Sequence, residues 1–204
     1  MLTNWTIFSW DDEKCKVVKE SLIEARCAIV CSEEIKWNTH SLFRLRKVCP
    51  DYYANPSFND ANNSAGGTLI AWNPAHTTTY QSSQTFTNTV ILTNSSGLTF
   101  MLTNAYRPID SDKKLDFLVR SINDLPWILL GEFHLLLAIP IKSYGWIQVH
   151  TSHNMIQELQ LNEVPLLGRL FTYSNKRPSP TLSKLDRILF CCHTTGTTNS
   201  SSPL

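Results

Sequence analysis

The sequence has 204 residues, of which 42% are hydrophobic and 17% are charged, which suits one globular domain with an ordinary core. Its 18 Lys and Arg against 17 Asp and Glu give a net charge of +1, so the composition excludes a strongly basic nucleic-acid-binding chain without excluding a local basic patch. Ten Pro and seven Gly exclude collagen-like and low-complexity classes.

The first 50 residues predict a strand, a helix, a second strand and a second helix. We expect a buried strand at residues 5–10 and a helix that begins at Asp11 or Asp12 and runs to about Arg26, because Val18 and Leu22 recur at helical spacing. A short apolar strand follows at 28–31, and a second helix precedes Pro50. This strand–helix–strand order favours a layered α/β fold.

The middle of the chain predicts β-hairpins. Residues 51–67 are polar and turn-rich and lead into a strand at 68–72. Two β-rich runs, 85–93 and 98–104, are joined by Asn94-Ser95-Ser96-Gly97, which is a hairpin signal. The remaining predicted elements are a helix at 115–125, a buried strand at 127–130, a helix at 155–161 and short strands at 171–174 and 184–190. We expect one domain over 1–192 and a disordered tail over 193–204.

The sequence carries no membrane or secretion signal. No apolar stretch approaches the roughly 20 residues that cross a bilayer, and the first residues lack a basic region and a cleavage site. The cysteines show no disulfide spacing, so we expect free buried thiols and an intracellular location; they are Cys15, Cys27, Cys31, Cys49, Cys191 and Cys192. Nothing in the sequence indicates a homo-oligomer.

Polar side chains follow several predicted strands at the point where each strand ends. Such ends are where α/β proteins place their chemistry. Hard oxygen ligands suit Mg²⁺, which is held by one or two carboxylates together with water and substrate phosphate. A plainer alternative is that these charges only mark the return of the chain to solvent. The residues concerned are Glu33, Glu34, Asn104, Tyr106, Glu132, His134 and Asp186.

The sequences of these segments and their order along the chain resemble the endonuclease/exonuclease/phosphatase superfamily, and within it the apurinic-type endonuclease domain of plant LINE-type retrotransposons. The similar stretches span nearly the whole chain and are IFSW (7–10), CKVVKESL (15–22), IVCSEEIKW (29–37), SAGGTLIAW (64–72), LTNAYRP (102–108), WILLGEFH (127–134) and VPLLGRLFTYSNKRPSPTLSKLDRILF (164–190).

The resemblance implies an α/β (α+β) four-layer sandwich, in which two packed mixed β-sheets are flanked by helices. It also implies Mg²⁺-dependent hydrolysis of DNA phosphodiester bonds, with the domain nicking target DNA to prime reverse transcription. DNA would then be the partner, and a working nuclease would act in the nucleus.

Three family positions are kept. Glu34 falls on the family's metal-binding Glu, with Glu33 in place of the preceding Gln. Tyr106 falls on the Tyr that contacts the scissile phosphate, and Asp186 on the Asp that orients the catalytic His. The plainer alternatives are a solvated carboxylate at Glu34, a packed aromatic at Tyr106, and an ion pair of Asp186 with Arg187 or Lys184.

Other positions depart from the family. Its G-D-F-N motif reads Gly131-Glu132-Phe133-His134, so the carboxylate is one methylene longer and His134 replaces an amide. The family's first Asn is deleted or replaced by Asp11, and its S-D-H ending is absent. We therefore expect a truncated, degenerate copy that lacks a C-terminal strand and has little or no activity.

Two alternatives stay open. In the first, Glu132 and His134 have taken over the catalytic roles, and the chain is an active Mg²⁺-dependent phosphodiesterase. In the second, the chain is a non-catalytic nucleic-acid-binding module, which predicts salt-dependent binding of DNA without cleavage.

Overall fold

The computed structural model describes residues 2–6, 12–35, 42–53, 55–61, 66–84, 87–106, 125–132, 157, 159–166, 170–175 and 182–191. Its elements, in chain order, are β1 (Leu2–Thr6), α1 (Asp12–Glu24), β2 (Ile29–Ile35), α2 (Leu42–Val48), β3 (Asn55–Asn59), β4 (Gly67–Trp72), β5 (His76–Gln84), β6 (Thr87–Asn94), β7 (Thr99–Ala105), β8 (Trp127–Glu132), β9 (Asn162–Glu163), β10 (Tyr173–Ser174), β11 (Leu182–Ser183) and β12 (Asp186–Cys191). No helix among these elements is long and apolar enough to cross a membrane.

The strands form two mixed sheets and a small ribbon. The first sheet has the order β1-β2-β4-β3, with β1 and β2 parallel, and the second has the order β5-β6-β7-β8-β12-β9, with β7 and β8 parallel. The other neighbours in both sheets are antiparallel, and β10 and β11 pair separately. The carboxyl ends of β2, β7 and β8 each carry one of the polar segments singled out in the sequence.

Apolar side chains pack the sheets into layers. Between the two sheets lies a core to which β2 and β4 contribute Ile29, Cys31, Ile70 and Trp72, and β6, β7 and β8 contribute Val90, Leu92, Phe100, Leu102 and Leu130. The helices α1 and α2 cover the other face of the first sheet through Cys15, Val18, Leu22, Leu45 and Val48. A third cluster, with Trp127, Leu129 and Leu189, lies on the outer face of the second sheet. The predicted sandwich of two packed mixed sheets is confirmed.

Strongly periodic segments were predicted well. Both helices, the β6–β7 hairpin and the buried strand β8 are present at the expected places. The first strand begins three residues earlier than predicted, and β2 extends four residues further, to Ile35. The five cysteines in the described part of the chain are buried and free, as expected.

Some sequence predictions are wrong. The turn-rich segment 51–67, for which no strand was predicted before residue 68, contains the edge strand β3. Pro56 is tolerated there because an edge strand leaves half of its backbone groups outside the ladder. The polar strand β5 forms the edge of the second sheet and was not predicted. In the helix predicted at 155–161, Gln157 is helical, whereas the buried Leu159 lies in a turn and the buried Leu161 directly precedes β9, so the helix ends earlier than predicted. Residues 115–124 of the helix predicted at 115–125, Cys192 and the tail at 193–204 lie outside the described residues.

Candidate functional site

A bulge near the end of β2 sets the geometry of the candidate site. Ser32 pairs with Leu69 and Ile35 pairs with Gly67, so β2 contains one more residue than β4 between these two pairs. Glu34 lies in this bulge with φ 57°, a left-handed conformation that is uncommon for a residue with a side chain. Strained backbone of this kind tends to occur at functional sites.

The bulge turns two consecutive carboxylates toward the second sheet. Ile29 and Cys31 face the core between the sheets, whereas Val30 and Ile35 pack against the helices. Regular alternation would direct Glu34 toward the helices together with Val30, because successive strand side chains point to opposite faces. Because of the extra residue, Ile35 packs against the helices instead of facing the second sheet, and Glu34 lies beside the second sheet.

Glu34 contacts the residue that follows β7. The hydroxyl of Tyr106 donates a hydrogen bond to Oε1 of Glu34, and Tyr106 is itself buried. The second oxygen, Oε2 of Glu34, is buried and has no hydrogen-bond partner. A buried carboxylate oxygen without a donor is costly, so this atom is available for a cation.

Glu33 contacts the end of β8. Its side chain is 0% exposed, and its Oε2 accepts the backbone N–H of Glu132 at 2.7 Å. The bond connects the two sheets at the same end of the sandwich as the contact between Glu34 and Tyr106. Consecutive residues of β2 therefore hold the ends of both β7 and β8.

Two glycines allow the backbones to approach closely at this point. A Cβ added to Gly66 would lie 2.4 Å from Cα of Glu34, and a Cβ added to Gly131 would lie 1.9 Å from the carbonyl oxygen of Ala105. Gly131 also has φ 150°, which favours glycine. Gly66 thus makes room for the bulge, and Gly131 brings β8 against β7 one residue before Glu132.

Glu132 lies in a strongly acidic environment. Its partner across β8 and β12 is Asp186, whose backbone N–H donates to Oγ1 of Thr172 at 3.1 Å. Burial, and then the negative charges of Glu34 and Asp186, raise the pKa of Glu132 from 4.5 to about 7. The Glu132 carboxyl is therefore harder to ionise than an ordinary glutamate.

The raised pKa of Glu132 predicts that the metal-free protein loses stability as the pH rises. The Glu132 carboxyl binds its proton more tightly in the folded protein than in the unfolded chain. Its contribution to the free energy of unfolding is therefore complete below the unfolded pKa of 4.5 and is lost as the pH rises through about 7. The loss amounts to about 3 kcal/mol at most. Denaturant unfolding in EDTA between pH 4.5 and 8 measures it. Glu132→Gln should flatten the pH profile, and identical profiles for both proteins would contradict the prediction.

The donor set fits a hard divalent cation. The orphaned Oε2 of Glu34 is an anionic oxygen of the kind that Mg²⁺ prefers, with Glu132 and Asp186 close by. Within the described ranges, no group of three or more His, Cys, Asp or Glu side chains is arranged to enclose a metal. Mg²⁺ itself is usually held by only one or two protein carboxylates, with waters and a substrate phosphate completing its ligands.

One end of the sandwich thus holds four of the site residues expected from the sequence, Glu34, Tyr106, Glu132 and Asp186. The fifth, His134, lies outside the described residues. Next to Asp186, Lys184 and Arg187 each form an ion pair with Glu163, with N···O distances of 2.6 and 2.8 Å.

For three residues at strand ends or in the family-like motif, the sequence did not predict the contacts through which they shape the site. They are Glu33, Gly131 and Asn104, whose Nδ2 donates to the carbonyl oxygens of Ser32 and Leu69 across the sheets. An acidic residue inside a buried run was the available signal for Glu33.

Comparisons with known proteins agree with this architecture. No protein-family model matches the sequence, and a search of curated proteins found no match. Among solved structures, the endonuclease domain of TRAS1, a telomere-specific non-LTR retrotransposon, superposes with a TM-score of 0.62 at 14% identity, covering 93% of this chain and 83% of that one. The AP endonuclease LMAP from Leishmania major gives 0.68 at 11% identity, covering 94% and 79%.

Two further structures share the fold. An AP endonuclease from Archaeoglobus fulgidus has a TM-score of 0.61 at 14% identity, covering 93% of this chain and 85% of its own. An endonuclease/exonuclease/phosphatase family protein from Leptotrichia buccalis C-1013-b gives 0.60 at 12% identity, covering 93% and 86%. At these identities the likeness shows the fold. The chain therefore has the two-sheet sandwich fold of the endonuclease/exonuclease/phosphatase proteins.

Proposed function

We propose that the chain is a slow, degenerate, Mg²⁺-dependent phosphodiesterase that nicks DNA and derives from a plant LINE-type retrotransposon endonuclease. The observation that carries the proposal is the orphaned carboxylate oxygen of Glu34, with Tyr106, Glu132 and Asp186 beside it. The resemblance noted in the sequence and the nuclease structures that share the fold support the choice of a phosphodiester substrate.

Each residue has a definite part in this proposal. Glu34 would hold the ion, which when bound neutralises phosphate charge and polarises the P–O bond. Tyr106 orients Glu34 through its hydroxyl and would meet the scissile phosphate at the rim. Glu132 would orient the attacking water, and Asp186 beside it would add to the negative field that favours a cation.

The low rate follows from the length of the Glu132 side chain. The resembling family carries Asp at this position, and the extra methylene displaces the carboxylate by about an ångström, which can cost on the order of 10²-fold in rate. Burial also raises the pKa of Glu132 to about 7, so a part of the molecules carries a neutral carboxyl in the absence of metal.

Relaxation of a supercoiled plasmid tests the proposed function. We expect slow nicking in Mg²⁺, none in EDTA, and a rate increase on the order of 10²-fold in Glu132→Asp, because the shorter side chain restores the reach. Glu20→Asp, on the exposed face of α1, is the matched control and should leave the rate unchanged. Binding of DNA without nicking by either the parent or Glu132→Asp would favour the non-catalytic alternative and contradict the proposal.

A further inference from the structure

We infer that Glu33 is a positioning residue that holds the Glu132 carboxylate at its working distance from Glu34. The inference rests on the proposed function, in which Glu34 binds the metal and Glu132 orients the water. Glu33 itself is 0% exposed, and its Oε2 accepts the backbone N–H of Glu132, so in this inference it acts through that backbone.

The end of β8 is where such support is needed. The last register pair between β7 and β8 joins Ala105 to Gly131, so Glu132 lies one residue beyond that ladder. On its other side, Glu132 pairs with Asp186, which is the first residue of β12. Oε2 of Glu33 reaches across from the first sheet and accepts the N–H of Glu132 at 2.7 Å, which is the short distance of a hydrogen bond to a carboxylate.

The bulge in β2 links the bond between Glu33 and Glu132 to the position of Glu34. Glu33 and Glu34 are neighbours in β2, and both face the second sheet because Glu34 adopts φ 57°. One peptide unit of β2 therefore connects the group that would bind the metal to the group that fixes Glu132. A shift of Glu132 by about 1 Å relative to Glu34 would cost on the order of 10²-fold in rate.

Two substitutions distinguish the effect of the length of the Glu33 side chain from the effect of its charge. Glu33→Gln keeps the length and an acceptor oxygen, so it can still accept the N–H of Glu132. Glu33→Asp keeps the charge but withdraws the carboxylate by one methylene, so it cannot hold a 2.7 Å bond without backbone movement. Asn88→Ala is the control for loss of a buried bridge between the sheets, because Asn88 is 0% exposed and bonds Ser57.

The first measurement is amide hydrogen exchange at Glu132, which requires no activity. We expect slow exchange in the parent and in Glu33→Gln, and roughly tenfold or faster exchange in Glu33→Asp but not in Asn88→Ala. Fast exchange in the parent, or unchanged exchange in Glu33→Asp, would overturn the inference. If Glu33→Asp does not fold, the parent and Glu33→Gln still decide it.

The second measurement is the kinetics of nicking. We expect kcat to fall by 10- to 100-fold in Glu33→Asp with KM nearly unchanged, and to stay within about threefold of the parent in Glu33→Gln. A loss of kcat in Glu33→Gln as large as that in Glu33→Asp would show that the length of the Glu33 side chain alone does not set the rate, and would overturn the inference. If the parent does not nick DNA, the proposed function fails; Mn²⁺ affinity then replaces kcat, and equal affinities in Glu33→Asp and Glu33→Gln overturn the positioning role.

Discussion

Glu34→Gln should lower the Mg²⁺-dependent nicking rate by on the order of 10³-fold. The proposed metal ligand loses its charge, and the several kcal/mol of charge stabilisation that a bound divalent ion supplies correspond to a factor of this size. Mn²⁺ titration by calorimetry should show that the dissociation constant weakens by roughly tenfold or more. Initial nicking rates at several Mg²⁺ concentrations, for the parent and the variant, measure the effect on catalysis.

A control and a stability measurement make the Glu34 experiment specific. Glu20→Gln removes a carboxylate that is 64% exposed on α1 and should change neither rate nor affinity. Without metal, Glu34→Gln should not destabilise the protein near neutral pH, because it removes one of the charges that raise the pKa of Glu132. Parent-like Mn²⁺ affinity in a folded Glu34→Gln protein would show that the cation binds elsewhere.

Gly131→Ala should destabilise the protein by about 3–5 kcal/mol, combining a backbone clash with an unfavourable φ. The new methyl group would lie 1.9 Å from the carbonyl oxygen of Ala105, and φ is 150° at this position. Because that oxygen belongs to the backbone of β7, the two strands must separate to relieve the contact. Denaturant unfolding of both proteins gives the free-energy difference.

Gly97→Ala is the matched control for Gly131→Ala. Gly97 also has a positive φ, 83°, but a Cβ placed there meets nothing within 4 Å. It lies in the turn of the β6–β7 hairpin, so Ala should cost only the conformational penalty, about 1 kcal/mol. Similar losses for the two variants would mean that close packing of β7 on β8 is not what requires Gly131.

Local patterns predicted the parts of the fold whose neighbours in sequence are also neighbours in space. The helix α1 follows from Val18 and Leu22 at helical spacing, and the β6–β7 hairpin from Asn94 and Gly97 between two β-rich runs. The asparagine caps its own turn, since its Oδ1 accepts the N–H groups of Ser96 and Leu98. Such elements are specified by short-range contacts.

Edge strands and the bulge were not predictable in this way. β3 contains Pro56, and β5 is polar and mostly exposed, so neither has the apolar alternation of a half-buried strand. Each is a strand because it pairs with a neighbour that is already in a sheet, β4 or β6. The bulge at Glu34 likewise depends on the opposing strand, where Gly66 leaves room for it.

By itself, the sequence determined the chemical inventory of this protein: acidic and phenolic groups at the ends of apolar strands, in an order that resembles a nuclease family. Only the tertiary structure decided which of them meet. The side-chain period of a strand is two residues, so one inserted residue in β2 reverses the face of everything after it. Glu33 already faces the second sheet by regular alternation and meets Glu132, and the bulge places Glu34 beside it against Tyr106; these contacts join residues 99 and 72 positions apart in the chain.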